Sequence, residues 1–343
     1  MIPRAPTAML QVLAVAAVGL TDSAAQNPAY SCEKCHPTES RSQPATPMAH
    51  AASRAIDAEI LKGHPILRVG RGRYTYLIRR EGGHVTYSVS DGTSNLTVPV
   101  LWAFGFGNMG QTYVYDYHGA LYESQVSFYS ALNGLDVTIG HHNSSPTHLE
   151  EAAGRRLQRL EVARCFGCHT TGTSDSITPG VRCERCHQHA EQHARRLADK
   201  TGPAVTPEKL AQLSLEEQSD FCGGCHRTWQ EVSANGPHDI NNVRFQPYRL
   251  ATSNCYNSSA GDKRISCVAC HDPHQNVVKN AEFYDRKCQV CHDAAKAAAS
   301  AKWCPVAQHG CVSCHMPKVD FPGGHFGFTD HRIRVVRSAA YPG

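Results

Sequence analysis

One five-residue pattern recurs seven times and decides what this chain can fold around. It reads Cys32-Glu-Lys-Cys35-His36, Cys165-Phe-Gly-Cys168-His169, Cys183-Glu-Arg-Cys186-His187 and Cys222-Gly-Gly-Cys225-His226, then Cys267-Val-Ala-Cys270-His271, Cys288-Gln-Val-Cys291-His292 and Cys311-Val-Ser-Cys314-His315. These copies use fourteen of the 16 Cys and seven of the 21 His, and leave Cys255 and Cys304 over. Two thiols at this spacing can add to the two vinyl groups of one porphyrin while the next imidazole reaches the iron, which is the attachment pattern of c-type haem. Zinc knuckles, thioredoxin-like pairs and disulfide frameworks need no His fixed at that place. With His at about one residue in sixteen, chance would put it behind all seven pairs on the order of once in a hundred million. Seven covalently attached haems are therefore expected, and their macrocycles would supply the core that a 41% hydrophobic, 19% charged chain does not itself provide.

Covalent haem attachment implies export, and the N-terminus reads accordingly. Arg4, an apolar run from Ala8 to Leu20, and small residues at Ser23, Ala24 and Ala25 form a secretory leader with cleavage after Ala25. The run is too short for a permanent anchor, so a periplasmic or extracellular protein without a transmembrane anchor is expected. Such a compartment permits a Cys255–Cys304 disulfide, with two free thiols as the alternative. The formal charge of +4 is smaller than the negative charge that two propionates per haem would add over seven sites, so the Arg-rich surplus reads as internal compensation. No basic run interleaved with aromatics marks a nucleic-acid site.

The motifs are unevenly spread. We expect a segment with a single haem over 26–65, a β-rich insert over 66–146 and a six-haem domain over 147–343. The insert is read from period-two runs such as Tyr74-Thr-Tyr-Leu-Ile and His84-Val-Thr-Tyr-Ser-Val, with Gly82-Gly83, Asp91-Gly92 and Asn133-Gly134 as turns. Its tyrosines read as sheet packing rather than electron relays. Helical character is expected over 149–164, 207–222 and 287–300, with start signals at Thr206-Pro207 and at Ser214. The expected fold class is a multihaem cytochrome c, mainly α and irregular loops wrapped around stacked haems, with an inserted antiparallel β element after the first haem.

A second axial imidazole closes a haem for electron transfer, whereas a vacant position opens it to substrate. His274 and His193 lie too close behind His271 and His187 to reach the far face of the same porphyrin, so each would serve a neighbouring haem. His325 and His331 follow the last motif, and His141 ends the β region. His50, His64 and Met48 stand near the first haem. The distal candidates are thus His50, His64, His141, His193, His274, His325 and His331, while His84, His118, His148 and His238 are read as solvated or propionate-bonded.

In the segments Cys32 to Ala51, Arg164 to Thr171, Gly180 to His193, Phe221 to Arg227, Arg244 to Cys255, Cys267 to His274 and Cys304 to Arg334, the chain resembles the multihaem cytochromes of the cytochrome c554 and hydroxylamine-oxidoreductase-like superfamily, in particular secreted multihaem proteins of acidobacteria. The resemblance implies distal His in C-H-D-P-H, here ending at His274, and in a segment matching Cys186 to His193, where the Gly-Pro-Gly of the family pattern is absent and His189 competes with His193. Enzymes of that group carry C-x-x-C-K or a cross-linked Tyr, and neither is recognisable here. The expectation is electron transfer between redox partner proteins or neighbouring copies of the chain, with an extracellular filament as a variant. The rivals are an oxidoreductase acting on a small nitrogen or sulfur compound at one five-coordinate haem, and partner docking through the β element.

Overall fold

The computed structural model describes residues 31–141, 146–173, 176–202, 209–253, 255–256, 265–292, 304 and 306–336. The expected leader at 1–25 and the Thr206-Pro207 start signal lie outside these residues.

The strands are, in chain order, β1 (Ala52–Arg54), β2 (Ile66–Arg71), β3 (Tyr74–Glu81), β4 (His84–Ser90) and β5 (Asn95–Phe104). They continue as β6 (Gly110–Tyr117), β7 (Ala120–Ser124), β8 (Val126–Tyr129), β9 (Gly134–Val137) and β10 (Gly154–Arg156). All ten join one antiparallel sheet ordered β10-β7-β6-β5-β4-β3-β2, with β1 on β5 and the β8–β9 hairpin on β6. Alternation drives this pairing. Tyr74, Tyr76 and Ile78 of β3 are buried while their neighbours are not, and Val85, Tyr87 and Val89 of β4 repeat the pattern, so Tyr76 pairs with Val89 and Ile78 with Tyr87 on one inward face. Each such fully buried side chain contributes about 1.5–3 kcal/mol. The β3–β4 turn needs positive φ at both central residues, which Gly82 (57°) and Gly83 (82°) adopt. Tyr76 stacks near Tyr87, Tyr87 near Tyr115 and Tyr115 near Tyr122, with ring centres 6.4, 5.6 and 5.5 Å apart. Burial pushes Tyr76 up to about 12 and Tyr113 higher, so these phenols stay protonated and act as packing.

This sheet corrects the expected fold class. The chain is not mainly α and loops around haems with β as an insert. Most buried apolar side chains among the described residues belong to a ten-stranded sheet that curls until Arg71 of β2 pairs with Asp136 of β9. The physical reason is that β3, β4, β5 and β6 bury alternate side chains on one face, and their Tyr and Val residues, with those of β8, pack against one another as a core. The sheet also recruits β1 and β10 from outside 66–146.

The helical segments frame the motifs. α1 (Pro37–Ser42) follows the first motif, α2 (Glu59–Gly63) packs under the sheet through Leu61, and α3 (Leu149–Ala153) is capped by His148. The expected helix over 149–164 is interrupted: Gly154 (φ 147°) turns the chain into β10, where an added Cβ would lie 2.0 Å from the Glu123 carbonyl oxygen. α4 (Arg159–His169) then carries the second motif into the hairpin of β11 (Thr170–Thr173) and β12 (Ser176–Pro179). α5 (Cys183–Cys186), α6 (Ala190–Asp199), α7 (Leu215–His226), α8 (Trp229–Asn235) and α9 (Gln246–Ala251) follow. Ser214 starts α7 with a reciprocal capping box to Glu217. α10 (Cys267–Cys270), α11 (Ala281–His292) and α12 (Cys311–His315) complete the helices, and β13 (Lys318–Phe321) pairs with β14 (Phe326–Thr329). The expected extension of α11 over 293–300 lies outside the described residues. No described helix is long and apolar enough to cross a membrane.

Candidate functional site

Every C-x-x-C-H occupies a helical turn, which places its two thiols on one side with the His just beyond. The first sits on a 3-10 turn (Cys32–Lys34), the second, fourth and sixth end α4, α7 and α11, and the others form α5, α10 and α12. His36, His187 and His271 donate their backbone N–H to the carbonyl of the first Cys of their motif, at 2.8, 2.8 and 2.9 Å. A short turn closed in this way holds the three functional side chains without a long helix.

The motifs neighbour one another through their thiols. Cys32 lies near Cys183, which brings the first motif to the third. Cys186 lies beside Cys225 and Cys222, joining the third to the fourth. The fourth meets the second through Cys168 and Cys225 and the fifth through Cys222 and Cys267. Cys270 and Cys311 both lie near Cys288, which adds the sixth and seventh. The neighbouring thiols Cys168 and Cys222 hold Cys225 and Cys267 below their ordinary range, against the burial that works to raise them. The spatial order is therefore first, third, fourth, fifth, sixth, seventh, with the second branching at the fourth.

Two imidazole pairs stand out. The rings of His187 and His274 are 5.9 Å apart and inclined by 2°, and those of His271 and His331 are 6.3 Å apart and inclined by 41°. With metal–imidazole bonds of about 2.0 Å, two imidazoles on opposite faces of one metal have ring centres roughly 6 Å apart. His331 donates Nδ1–H to the Thr329 carbonyl (2.9 Å), His315 to that of Arg334 (2.9 Å) and His169 to that of Ala51 (2.9 Å), since a carbonyl can only accept. This fixes the tautomer and leaves Nε2 with its lone pair. Burial is the main cause that lowers the proton affinity of His169, His187, His271 and His331, the last to about 4, which favours their neutral form.

The sheet positions the second motif. Phe166 meets Trp102 edge-on at 5.0 Å, and Phe104 meets His169 at 5.5 Å. The Ala51 carbonyl that anchors His169 also accepts from Gly105. Gly180 (φ 76°) lets this region close, because an added Cβ would lie 1.9 Å from the Ala49 carbonyl oxygen.

Other candidates are engaged elsewhere. His141, expected to reach the haem half, is buried with Nδ1 2.9 Å from Gln125 Oε1 and Nε2 3.0 Å from Glu123 Oε2, so both ring nitrogens serve the sheet. His64 bonds the Ile60 carbonyl (3.1 Å) and Asn133 Oδ1 (2.9 Å). His325 ties the β13–β14 hairpin to the sheet through Asp136 (2.8 Å). His50 stacks on Phe106 at 4.7 Å, and His193 lies on α6, one turn after His189. Cys255 and Cys304, for which a bridge and two free thiols were alternatives, are free thiols, and exposed Cys304 accepts from the backbone N–H groups of Ala307 and Val306, which lowers it. Among the described residues, no three His, Cys, Asp or Glu side chains gather as a metal cluster.

Sequence reasoning missed the support of His331. Arg249 forks onto the preceding residue, Asp330, with Nε–Oδ1 and Nη2–Oδ2 both 2.8 Å, and Arg334 adds a third contact at 2.5 Å. The Arg249 and Asp330 side chains are 2% and 0% exposed. Burial works to raise Asp330, yet the guanidinium bonds outweigh it and the carboxyl ends below its ordinary range. Ser253 completes the grip by donating to the His331 carbonyl (3.2 Å) and accepting from Ile333 N–H (2.8 Å). A partner 81 residues away leaves no local signal in the sequence.

Among curated proteins, the chain is similar to the nine-heme cytochrome c of Desulfovibrio desulfuricans, at 25% identity over 119 residues, a stretch that spans 33% of this chain and 32% of that protein. No family model matches the chain, and no solved structure matches it.

Proposed function

We propose that this chain is a multihaem c-type cytochrome that carries seven covalently attached haems and passes electrons between redox partners outside the cytoplasm. The observation that carries the reading is that all seven C-x-x-C-H patterns form helical turns that neighbour one another in space, and the partial likeness to a nine-heme cytochrome c agrees with it. The donor set fits haem: paired thiols on one helical turn, an adjoining imidazole, and at two sites a second imidazole at the separation that opposed ligands require. Bound there, each haem supplies a one-electron iron couple.

The polypeptide's part is to fix spacing and ligation. Cys32/Cys35, Cys165/Cys168, Cys183/Cys186, Cys222/Cys225, Cys267/Cys270, Cys288/Cys291 and Cys311/Cys314 would hold the seven groups, with His36, His169, His187, His226, His271, His292 and His315 as proximal ligands. His274 and His331 are assigned as distal ligands opposite His187 and His271. His274 follows the fifth motif by three residues yet serves the third, which locks the two sites together. The leader at the N-terminus supports a periplasmic or extracellular location.

The test is haem quantitation with low-temperature EPR on the purified full-length protein. Seven haems per chain and only low-spin ferric signals are expected. A stoichiometric high-spin signal would instead identify an open haem and favour an oxidoreductase.

A further inference from the structure

Two aspartates are buried among the described residues, and only one has a cation beside it. Asp330 is answered by Arg249 and Arg334. Asp285 of α11 is 3% exposed and pairs with no lysine or arginine among the described residues. Its oxygens accept two backbone N–H groups instead, Oδ2 from Gly310 at 2.7 Å and Oδ1 from Cys311 at 2.9 Å. A buried charge without a counterion persists only where hydrogen bonds replace the water it has lost.

The start of α12 explains why a carboxylate is needed there. The residue before it, Gly310, holds φ 73° and has no side chain with which to cap the turn. The first N–H groups would stay open, and Asp285, 25 and 26 residues back, supplies their acceptor. Burial works to raise the Asp285 carboxyl, but the bonds from Gly310 and Cys311 outweigh it, so the group ends below its ordinary range and stays charged. The same carboxylate stands one helical turn before Cys288 on α11 and lies near the Cys288 and Cys311 thiols. It therefore occupies the junction of the sixth and seventh motifs.

We propose that Asp285 is a positioning residue for the last two haems: it clasps the sixth attachment turn to the seventh and so holds a fixed negative charge that lowers the potentials of both groups. This rests on the haem reading above and goes further by naming the residue that sets two of the seven sites apart. Negative charge held close to a haem favours the oxidised, more positive iron. A unit charge about 10 Å away, in a medium with an effective dielectric of about 20, changes such an equilibrium by roughly tenfold. Porphyrins at Cys288 and Cys311 would bury the carboxylate further, which lessens its screening by salt.

The experiment compares full-length wild-type, Asp285→Asn, Asp285→Ser and Asp285→Glu holoproteins. Haem stoichiometry of the wild type is measured first and tests the underlying reading separately, because a chain that matures without covalent haem would overturn both. Spectroelectrochemical titration is then resolved into its components. In Asp285→Asn two components are expected to move to higher potential, each by about a tenfold change in its reduction equilibrium, about 59 mV, while the others stay in place. Asp285→Ser removes the same charge, is expected to move the same two components, and carries the test if Asp285→Asn does not mature. Asp285→Glu keeps the charge and lengthens the side chain, and is expected to leave every component within about twofold of wild type. Fully loaded neutral variants with every component unmoved would overturn the proposal. So would an Asp285→Glu protein whose components move as far as those of Asp285→Asn, since packing and not charge would then set the shift.

Discussion

Replacing Arg249 by Met tests whether the buried ion pair holds the His331 segment in place. In the native protein Asp330 is 0% exposed and takes two bonds of 2.8 Å from Arg249 and one of 2.5 Å from Arg334. Removing one partner of a buried pair costs about 3–5 kcal/mol, mostly because the other charge is left uncompensated. Arg334 still reaches Asp330, so the lower end, about 3 kcal/mol, is expected, which is roughly a 150-fold change in the folding equilibrium. With a urea dependence of about 2–3 kcal/mol/M, the unfolding midpoint of the holoprotein, followed by Soret circular dichroism, falls by roughly 1–1.5 M. The double variant Arg249→Met/Asp330→Leu removes both charges and should recover most of the loss. The pH dependence has a definite sign. Asp330 has a folded pKa below its unfolded value of about 3.9, so the pair stabilises fully above that value and its contribution is lost as pH falls through the folded pKa. Wild type and Arg249→Met should therefore converge in strong acid. A loss below about 1 kcal/mol at neutral pH, the scale of an exposed pair, would refute this account of the His331 segment.

His274→Ala and His331→Ala should each convert one low-spin haem to high spin and open it to carbon monoxide, read by EPR and difference spectra, whereas His141→Ala should leave every spin state unchanged. Gly180→Ala must move the Ala49 carbonyl from a Cβ position 1.9 Å away and abandon a φ of 76°, so a loss of more than about 1 kcal/mol in urea unfolding is expected. Tyr113→Phe removes a buried hydroxyl that has no hydrogen-bond partner among the described residues. It should be neutral or stabilise by about 1 kcal/mol, seen as an unchanged or raised thermal midpoint.

Local chemistry was legible along the chain. C-x-x-C-H is written in five adjacent residues, so its geometry follows from one helical turn, and the seven turns stand where the pattern lies. Period-two runs and the Gly82-Gly83 turn likewise located β3 and β4, because strand and hairpin signals are carried by neighbours in sequence. The weight of the sheet was not legible. β1 and β10 are three-residue strands without a period of their own, and they form because β5 and β7 offer them free edges. Alternation alone also did not show that the tyrosine-rich strands make a core independent of any cofactor. The candidate distal histidines divide in the same way. His141 and His331 are equally eligible as letters, yet the first is captured by Gln125 and Glu123 while the second is left facing His271. The sequence by itself thus determined the seven C-x-x-C-H turns, since their parts are contiguous. Only the tertiary structure decided the order in which those turns meet and which imidazoles stand opposed, since these depend on contacts such as Arg249 with Asp330, whose partners lie 81 residues apart.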